Sequence, residues 1–207
     1  MEVQRLDRQL RVCNQYRDLA LLWFGIDSFL RVSDLRMFRV RDIRGHDGQI
    51  LSEIRIEQEK TDTPVAFVLS ETTRTALQGW ITVSEKAETD YLFTRTTRSS
   101  KPLSDSAIRR MVKRWASSLG LPPTNYASHS LRRTKAAYLY SQGVRIEYLR
   151  ILLGHTDIKN TVRYLGIEER QALAIARDCD LRLATPDPEN HPIYLTKPAT
   201  GVKNEDT

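Results

Sequence analysis

The stretch SHSLRR, residues 128–133, sets His129 and Arg132 three residues apart at what reads as the mouth of a helix. LLGHTDIKNTVRYL follows about twenty residues later and carries His155 and Tyr164. An arginine offers a planar, permanently charged fork for oxyanions, a histidine titrates near neutrality, and a tyrosine hydroxyl becomes a nucleophile once its proton, of pKa about 10, is removed. Arg31 and Lys60 are two further candidates. Taken singly, each has an ordinary explanation. Arg31 suits a surface helix end, Lys60 a hairpin tip, His129 a helix cap, and Arg132 a basic helix. His155 follows a glycine cap and suits the last carbonyls of its helix, and Tyr164 suits a half-buried ring with its hydroxyl in water. The question is whether these residues form one site.

The elements that must position them follow from periodicity. From Tyr16 to Leu30, Leu19, Leu22, Trp23, Ile26, Phe29 and Leu30 recur at helical spacing, and that helix delivers Arg31 at its far end. RVSDLRMFRV continues as a short helical turn whose start suits Ser33 and Asp34. The period then changes. Ile54 and Ile56 alternate with charged residues, EKTDTP reads as a turn and VAFVL as a returning strand, which predicts a β-hairpin with Lys60 near its tip. SETTRTALQGWITVS returns to helix, DYLFT is a brief extended piece, and RTTRSSKPLS is a basic loop. In DSAIRRMVKRWASSLG, the stripe Ile108, Val112, Trp115 and Leu119 opposes Arg109, Arg110, Lys113 and Arg114, and Gly120 closes the helix. Three short helices follow: LRRTKAAYLYSQG closed by Gly143, IEYLRILLG closed by Gly154, and DIKNTVRYL. Their brief turns bring their ends together. EERQALAIARDCDLRL reads as one more amphipathic helix, and residues 184–207, with four of the eight prolines, as a flexible tail.

The bulk composition narrows the classes. A chain of 207 residues, 40% hydrophobic, suits one domain with its own core. The 32 lysines and arginines against 26 acidic residues lean toward a polyanionic partner, although a net charge of +6 is common among unrelated proteins. Cys13 and Cys179 lie far apart without a C-x-x-C spacing, so neither a zinc site nor a disulfide framework is suggested. No apolar run is long enough to cross a bilayer and the start lacks a secretory pattern, so a soluble, cytoplasmic protein is expected. No carboxylate or His/Cys cluster has metal-ligand spacing, and the GxGxxG and P-loop patterns are absent, so no metal or cofactor is expected.

FLRVSDL, then EKTDTPV after a strand, then HSLRR, then LLGH, then Tyr164 nine residues after His155, together resemble the tyrosine recombinases, the phage integrase family, over about residues 16–180. The resemblance implies the catalytic domain of a DNA breaking-rejoining enzyme, here a mainly helical α+β fold with a small antiparallel sheet. It makes Arg31 the first catalytic arginine, Lys60 the hairpin lysine, His129 and Arg132 the H-x-x-R pair, His155 the next member and Tyr164 the nucleophile. Asp34 becomes a supporting group. Cleaving a phosphodiester with a phenol needs charge stabilisation on the non-bridging oxygens, removal of the phenolic proton, and a proton for the departing 5′ oxygen. Arg31 and Arg132 would hold the phosphate, His129 would accept or relay the proton, His155 would donate to the phosphate, and Lys60 would protonate the leaving oxygen. The bond energy would be kept as a 3′-phosphotyrosine, so rejoining needs no nucleotide.

Double-stranded DNA is the implied partner. Arg109, Arg110, Lys113, Arg114, Arg133 and Lys135 lie on helices with basic faces suited to its backbone, and for each of them an ordinary solvated face is the alternative. The resemblance further implies a homo-tetramer on DNA, with EERQALAIARDCDL as the helix passed between protomers, and association with the nucleoid. Typical members place a core-binding domain of about a hundred residues ahead of this part. Here residues 1–183 are expected to form the catalytic domain without it, with a weaker, more salt-sensitive grip or with accessory DNA-binding proteins. A type IB topoisomerase-like relaxing enzyme and a catalytically silent DNA-binding regulator remain as alternatives.

Overall fold

The computed structural model describes residues 2–57, 64–97 and 99–167. Among the described residues, eight α-helices and one pair of strands follow in order: α1 (Glu2–Val12), α2 (Tyr16–Asp27), α3 (Val32–Leu35), β1 (Glu53–Glu57), β2 (Pro64–Val68), α4 (Glu71–Ser84), α5 (Asp105–Ser118), α6 (Ser128–Ser141), α7 (Ile146–Leu152) and α8 (Ile158–Leu165). The sequence reading passed over α1, although Leu6 and Leu10, four residues apart, are both buried and the helix packs on α2.

The two strands pair antiparallel, with Ile54 opposite Phe67 and Ile56 opposite Val65. Period-two alternation puts Val65 and Phe67 on the buried face of β2 and leaves Pro64, Ala66 and Val68 outside. Lys60 lies outside the described residues, as do the predicted helix EERQALAIARDCDLRL and the tail.

α2 is the central element. It packs on α1, α4 and α6 and is buried along most of its length. Phe24 meets Phe38 edge-on at 5.1 Å and Phe67 edge-on at 6.0 Å between ring centroids, an arrangement that favours the positive ring edge against the negative face. At Gly25 a Cβ would come within 2.9 Å of Leu131 Cδ1, so glycine lets α6 approach α2 closely and brings the start of α6 beside the segment that holds Arg31.

Helix ends follow local chemistry. Ser70 and Ser104 accept from the main-chain N–H of Thr73 and Ala107, capping α4 and α5. α6 begins earlier than the apolar pattern alone indicates, at Ser128, where the Ser130 hydroxyl accepts from the Ala127 N–H, so His129 sits inside the first turn. Gly120, Gly143 and Gly154 take positive φ just beyond their helices, as the C-cap reading requires.

One departure from ordinary backbone bears on the site. Phe29, just after α2, has φ +53°, a left-handed conformation that is a genuine outlier for a bulky side chain. Its ring is buried with Ala136 of α6 and Leu153 beyond α7, which holds the strained turn in place. That turn ends α2 and sends the chain to Arg31 in extended conformation ahead of α3.

Candidate active site

Five of the residues singled out by their chemistry, Arg31, Asp34, Arg132, His155 and Tyr164, act on one another in the fold. Arg132, on α6, is only 3% exposed. Its Nη2 donates to the main-chain carbonyl of Leu153, the residue that caps α7, and lies 3.4 Å from His155 Nε2. Its guanidinium carbon is 5.9 Å from the centre of the Tyr164 ring. From α3 and its entry, the charges of Arg31 and Asp34 act on Arg132, and that of Arg31 acts also on His155 and Tyr164.

His155 follows the left-handed Gly154 and is fixed on three sides. Arg150 Nη1 donates to its carbonyl at 3.1 Å, Thr161 Oγ1 lies 3.0 Å from Nδ1, and Arg132 faces Nε2. The Tyr164 ring stands edge-on to the imidazole, 5.6 Å between centroids and 83° between planes. The Tyr164 hydroxyl donates to the main-chain carbonyl of His129 at 3.3 Å, so this segment touches the phenol through its backbone. The His129 side chain itself is exposed.

Burial dominates the electrostatics. It pulls the Arg132 guanidinium down to about 10, with Arg31 acting in the same direction and Tyr164 and Asp34 against it, so the group stays cationic at neutral pH. Burial, reinforced by the positive charges of Arg132 and Arg31, lowers the His155 imidazole to about 4, so it is neutral there. Burial pushes the Tyr164 phenol above its ordinary value, and Arg132, Arg133 and Arg31 only partly oppose this.

The expected basic surface divides in two. Arg109, Arg110, Lys113 and Arg114 all stand exposed on α5. Arg133 is exposed and donates to the carbonyl of Leu165 at 3.3 Å, tying α6 to the end of α8. Lys135 is different, because its ammonium lies 2.7 Å from Asp27 Oδ1 and 5.5 Å from the centre of the Phe29 ring. Its charge is engaged inside the fold, which a basic pattern along a helix does not disclose.

Two residues with structural or chemical weight were missed at the sequence level. Asp27, 4% exposed, accepts from Lys135, from the Thr73 hydroxyl at 2.5 Å and from the Ser70 N–H at 2.8 Å, joining α2, α4 and α6. Burial alone would raise its carboxyl, but those hydrogen bonds outweigh it and hold the group below the usual carboxylate range. The other is Thr161, fully buried and one helical turn before Tyr164. A polar residue three positions from a candidate nucleophile on one helix face was the signal available for it. Among the described residues no group of three or more His, Cys, Asp or Glu side chains is placed to hold a metal ion, and no helix is long and apolar enough to cross a membrane.

Residues 1–170 match the model of the phage integrase family. The chain belongs to that family. It is 29% identical over 153 residues to a probable integrase/recombinase of Bacillus subtilis, YoeC, covering 74% of this chain and 79% of that one. It is 30% identical over 173 residues to a tyrosine recombinase of Pseudothermotoga lettingae, covering 82% of this chain and 56% of that one. Among solved structures it shares its fold with the XerH site-specific recombinase bound to palindromic difH substrate in a post-cleavage complex, with TM-score 0.66 and 18% identity over 84% of this chain and 50% of that one. The chain thus spans most of the first relative and about half of the other two.

Proposed function

We propose that this protein is a site-specific DNA recombinase that cuts and rejoins double-stranded DNA through a 3′-phosphotyrosine at Tyr164. The phenolic oxygen attacks a backbone phosphorus, the bond to the 5′ oxygen breaks, and the released 5′ hydroxyl reverses the step on the same or a new strand. The observation that carries this reading is that Arg132, His155 and Tyr164 meet, with the Arg132 guanidinium carbon 5.9 Å from the phenol ring centre and 3.4 Å between its Nη2 and His155 Nε2, and that the charge of Arg31, from a segment a hundred residues earlier, acts on the same phenol.

Arg31 and Arg132 neutralise the non-bridging oxygens, where each aligned donor in a desolvated site is worth about 10²–10³ in rate. The Arg132 Nε supports that role, being buried with no hydrogen-bond partner among the described residues, a donor left for an incoming oxyanion. Asp34 steadies the arginine pair. His155 donates to the phosphate, and His129 takes up the phenolic proton. Lys60 is assigned the leaving oxygen by resemblance alone. The raised Tyr164 phenol means that a phosphate must bring its proton acceptor with it or reposition one, because the resting hydroxyl is held by a main-chain carbonyl.

The exposed cations of α5 are assigned to the DNA backbone, with the nucleoid in the cytoplasm as the place of action and a homo-tetramer, with or without accessory DNA-binding proteins, as the working assembly. The XerH structure, a relative in fold, was determined bound to its palindromic difH substrate. The test is covalent trapping. Incubating the protein with nicked duplexes of candidate sites should yield an adduct that survives a denaturing gel, lost completely in Tyr164→Phe. An adduct that persists in Tyr164→Phe would remove Tyr164 from its role, and relaxation of plasmid without paired sites would favour a topoisomerase.

A further inference from the structure

Thr161 is fully buried, and its hydroxyl sits 3.0 Å from His155 Nδ1, while Arg132 Nη2 approaches the other ring nitrogen at 3.4 Å. An arginine guanidinium only donates hydrogen bonds. Nε2 must therefore accept, and in a neutral imidazole the single ring proton then lies on Nδ1 and is donated to Thr161 Oγ1. Burial, reinforced by the positive charges of Arg132 and Arg31, keeps the ring neutral. In water the opposite tautomer, with the proton on Nε2, is the ordinary one, so the site imposes a choice.

We propose that Thr161 is a positioning residue that, together with Arg132, fixes the tautomer of His155 and lets it reverse during the reaction. This rests on the reading of Tyr164 and its partners as a phosphate-cleaving site. Before DNA binds, the Thr161 hydroxyl accepts from Nδ1–H and Nε2 accepts from Arg132. When a backbone phosphate draws the guanidinium away, Nε2 must become a donor to a phosphate oxygen. Nδ1 then gives its proton to water and Nε2 takes one from water, with no change in net charge, and the Thr161 hydroxyl rotates to donate to the bare Nδ1. A hydroxyl serves both states because it is donor and acceptor at once. A valine of nearly the same shape serves neither.

The first test reads the ring directly. In the full chain labelled with 15N-histidine, long-range proton–nitrogen correlations, assigned with His155→Gln, should show His155 of the DNA-free protein protonated at Nδ1. Thr161→Val, with Arg132 still facing Nε2 but no acceptor for Nδ1–H, should leave a mixture of the two neutral forms, and Thr161→Ser should restore a single Nδ1–H form. The second test is the rate of covalent trapping on a nicked duplex. Thr161→Val should slow it about ten- to a hundredfold with DNA affinity unchanged, as expected when a reacting group loses its orientation, and Thr161→Ser should recover most of the loss. An Nε2–H ring in the unsubstituted protein, or a Val variant that traps DNA at the original rate, would overturn the proposal. Loss of the Tyr164-dependent adduct with the tautomer as stated would instead strike the functional reading, so the two failures are told apart.

Discussion

The frame that holds Arg31 and the end that carries Tyr164 are packed very differently. Around α1–α5 and the hairpin, a continuous core including Phe24, Phe38, Phe67, Phe93, Trp80 and Trp115 is buried. At the α6–α8 end the separate cluster is Phe29, Ala136 and Leu153, with Leu139, Leu152, Tyr164 and Leu165 only partly buried against it. Polar links do much of the joining there: Arg132 to Leu153, Arg133 to Leu165, His155 to Thr161 and Tyr164 to His129. The contrast teaches that the segment of Arg31 and Asp34 is tied to the large core through Leu30 and Leu35, with only Phe29 in the small cluster, while the phenol sits where a few hydrogen bonds decide its place. Small local openings cost least where apolar burial is thin.

That contrast is broken or sharpened by substitution. The largest effect is expected for Phe24→Ala, about 3–5 kcal/mol of stability read from denaturant unfolding, against about 2 kcal/mol for Leu153→Ala at the thin end. Equal losses would erase the distinction between the two regions. On the trapping assay, Arg132→Lys should cost at least about a hundredfold, since an ammonium cannot replace a bidentate fork in contact with both a carbonyl and a phosphate, while leaving much of the fold's stability intact.

A pH series tests the thin end directly. The His155 imidazole titrates near 4 in the fold and at the ordinary 6.5 when unfolded, so between those values the unfolded chain binds more protons. Stability should therefore rise with pH from about 4 to about 6.5, and His155→Gln should flatten that rise, as followed by urea midpoints. Asp27 marks the frame: held below the usual range, it contributes stability above about pH 4 that is lost on further acidification, and Lys135→Met should remove part of that loss. The smallest effect is expected for Arg109→Ala, within about 0.5 kcal/mol in stability, with the salt dependence of DNA binding reduced by about one ion.

Much of the frame was legible residue by residue. The stripe from Leu19 to Ile26 is α2, which stops at Asp27 short of the expected Phe29 and Leu30, the Ile54/Ile56 alternation is β1, and Gly120, Gly143 and Gly154 sit where helices stop, because periodicity and caps are local properties. α1 is less legible because only Leu6 and Leu10 of its eleven residues are buried, too few to draw a stripe. Lys135 was grouped with the basic surface because charge patterning cannot tell that Asp27, 108 residues earlier, waits for it. The same blindness to long-range partners hid Thr161's role beside His155.

The sequence by itself determined which side chains are able to do phosphate chemistry and which helices, turns and strands carry them, since side-chain type and local backbone preference reside in neighbouring residues. Only the tertiary structure decided that the charges of Arg31 and Arg132 act on one phenol, that His155 stays neutral, and that Lys135 faces inward. Burial and charge proximity act through space between segments more than a hundred residues apart, and they exist only once close packing such as that at Gly25 has brought α6 against α2.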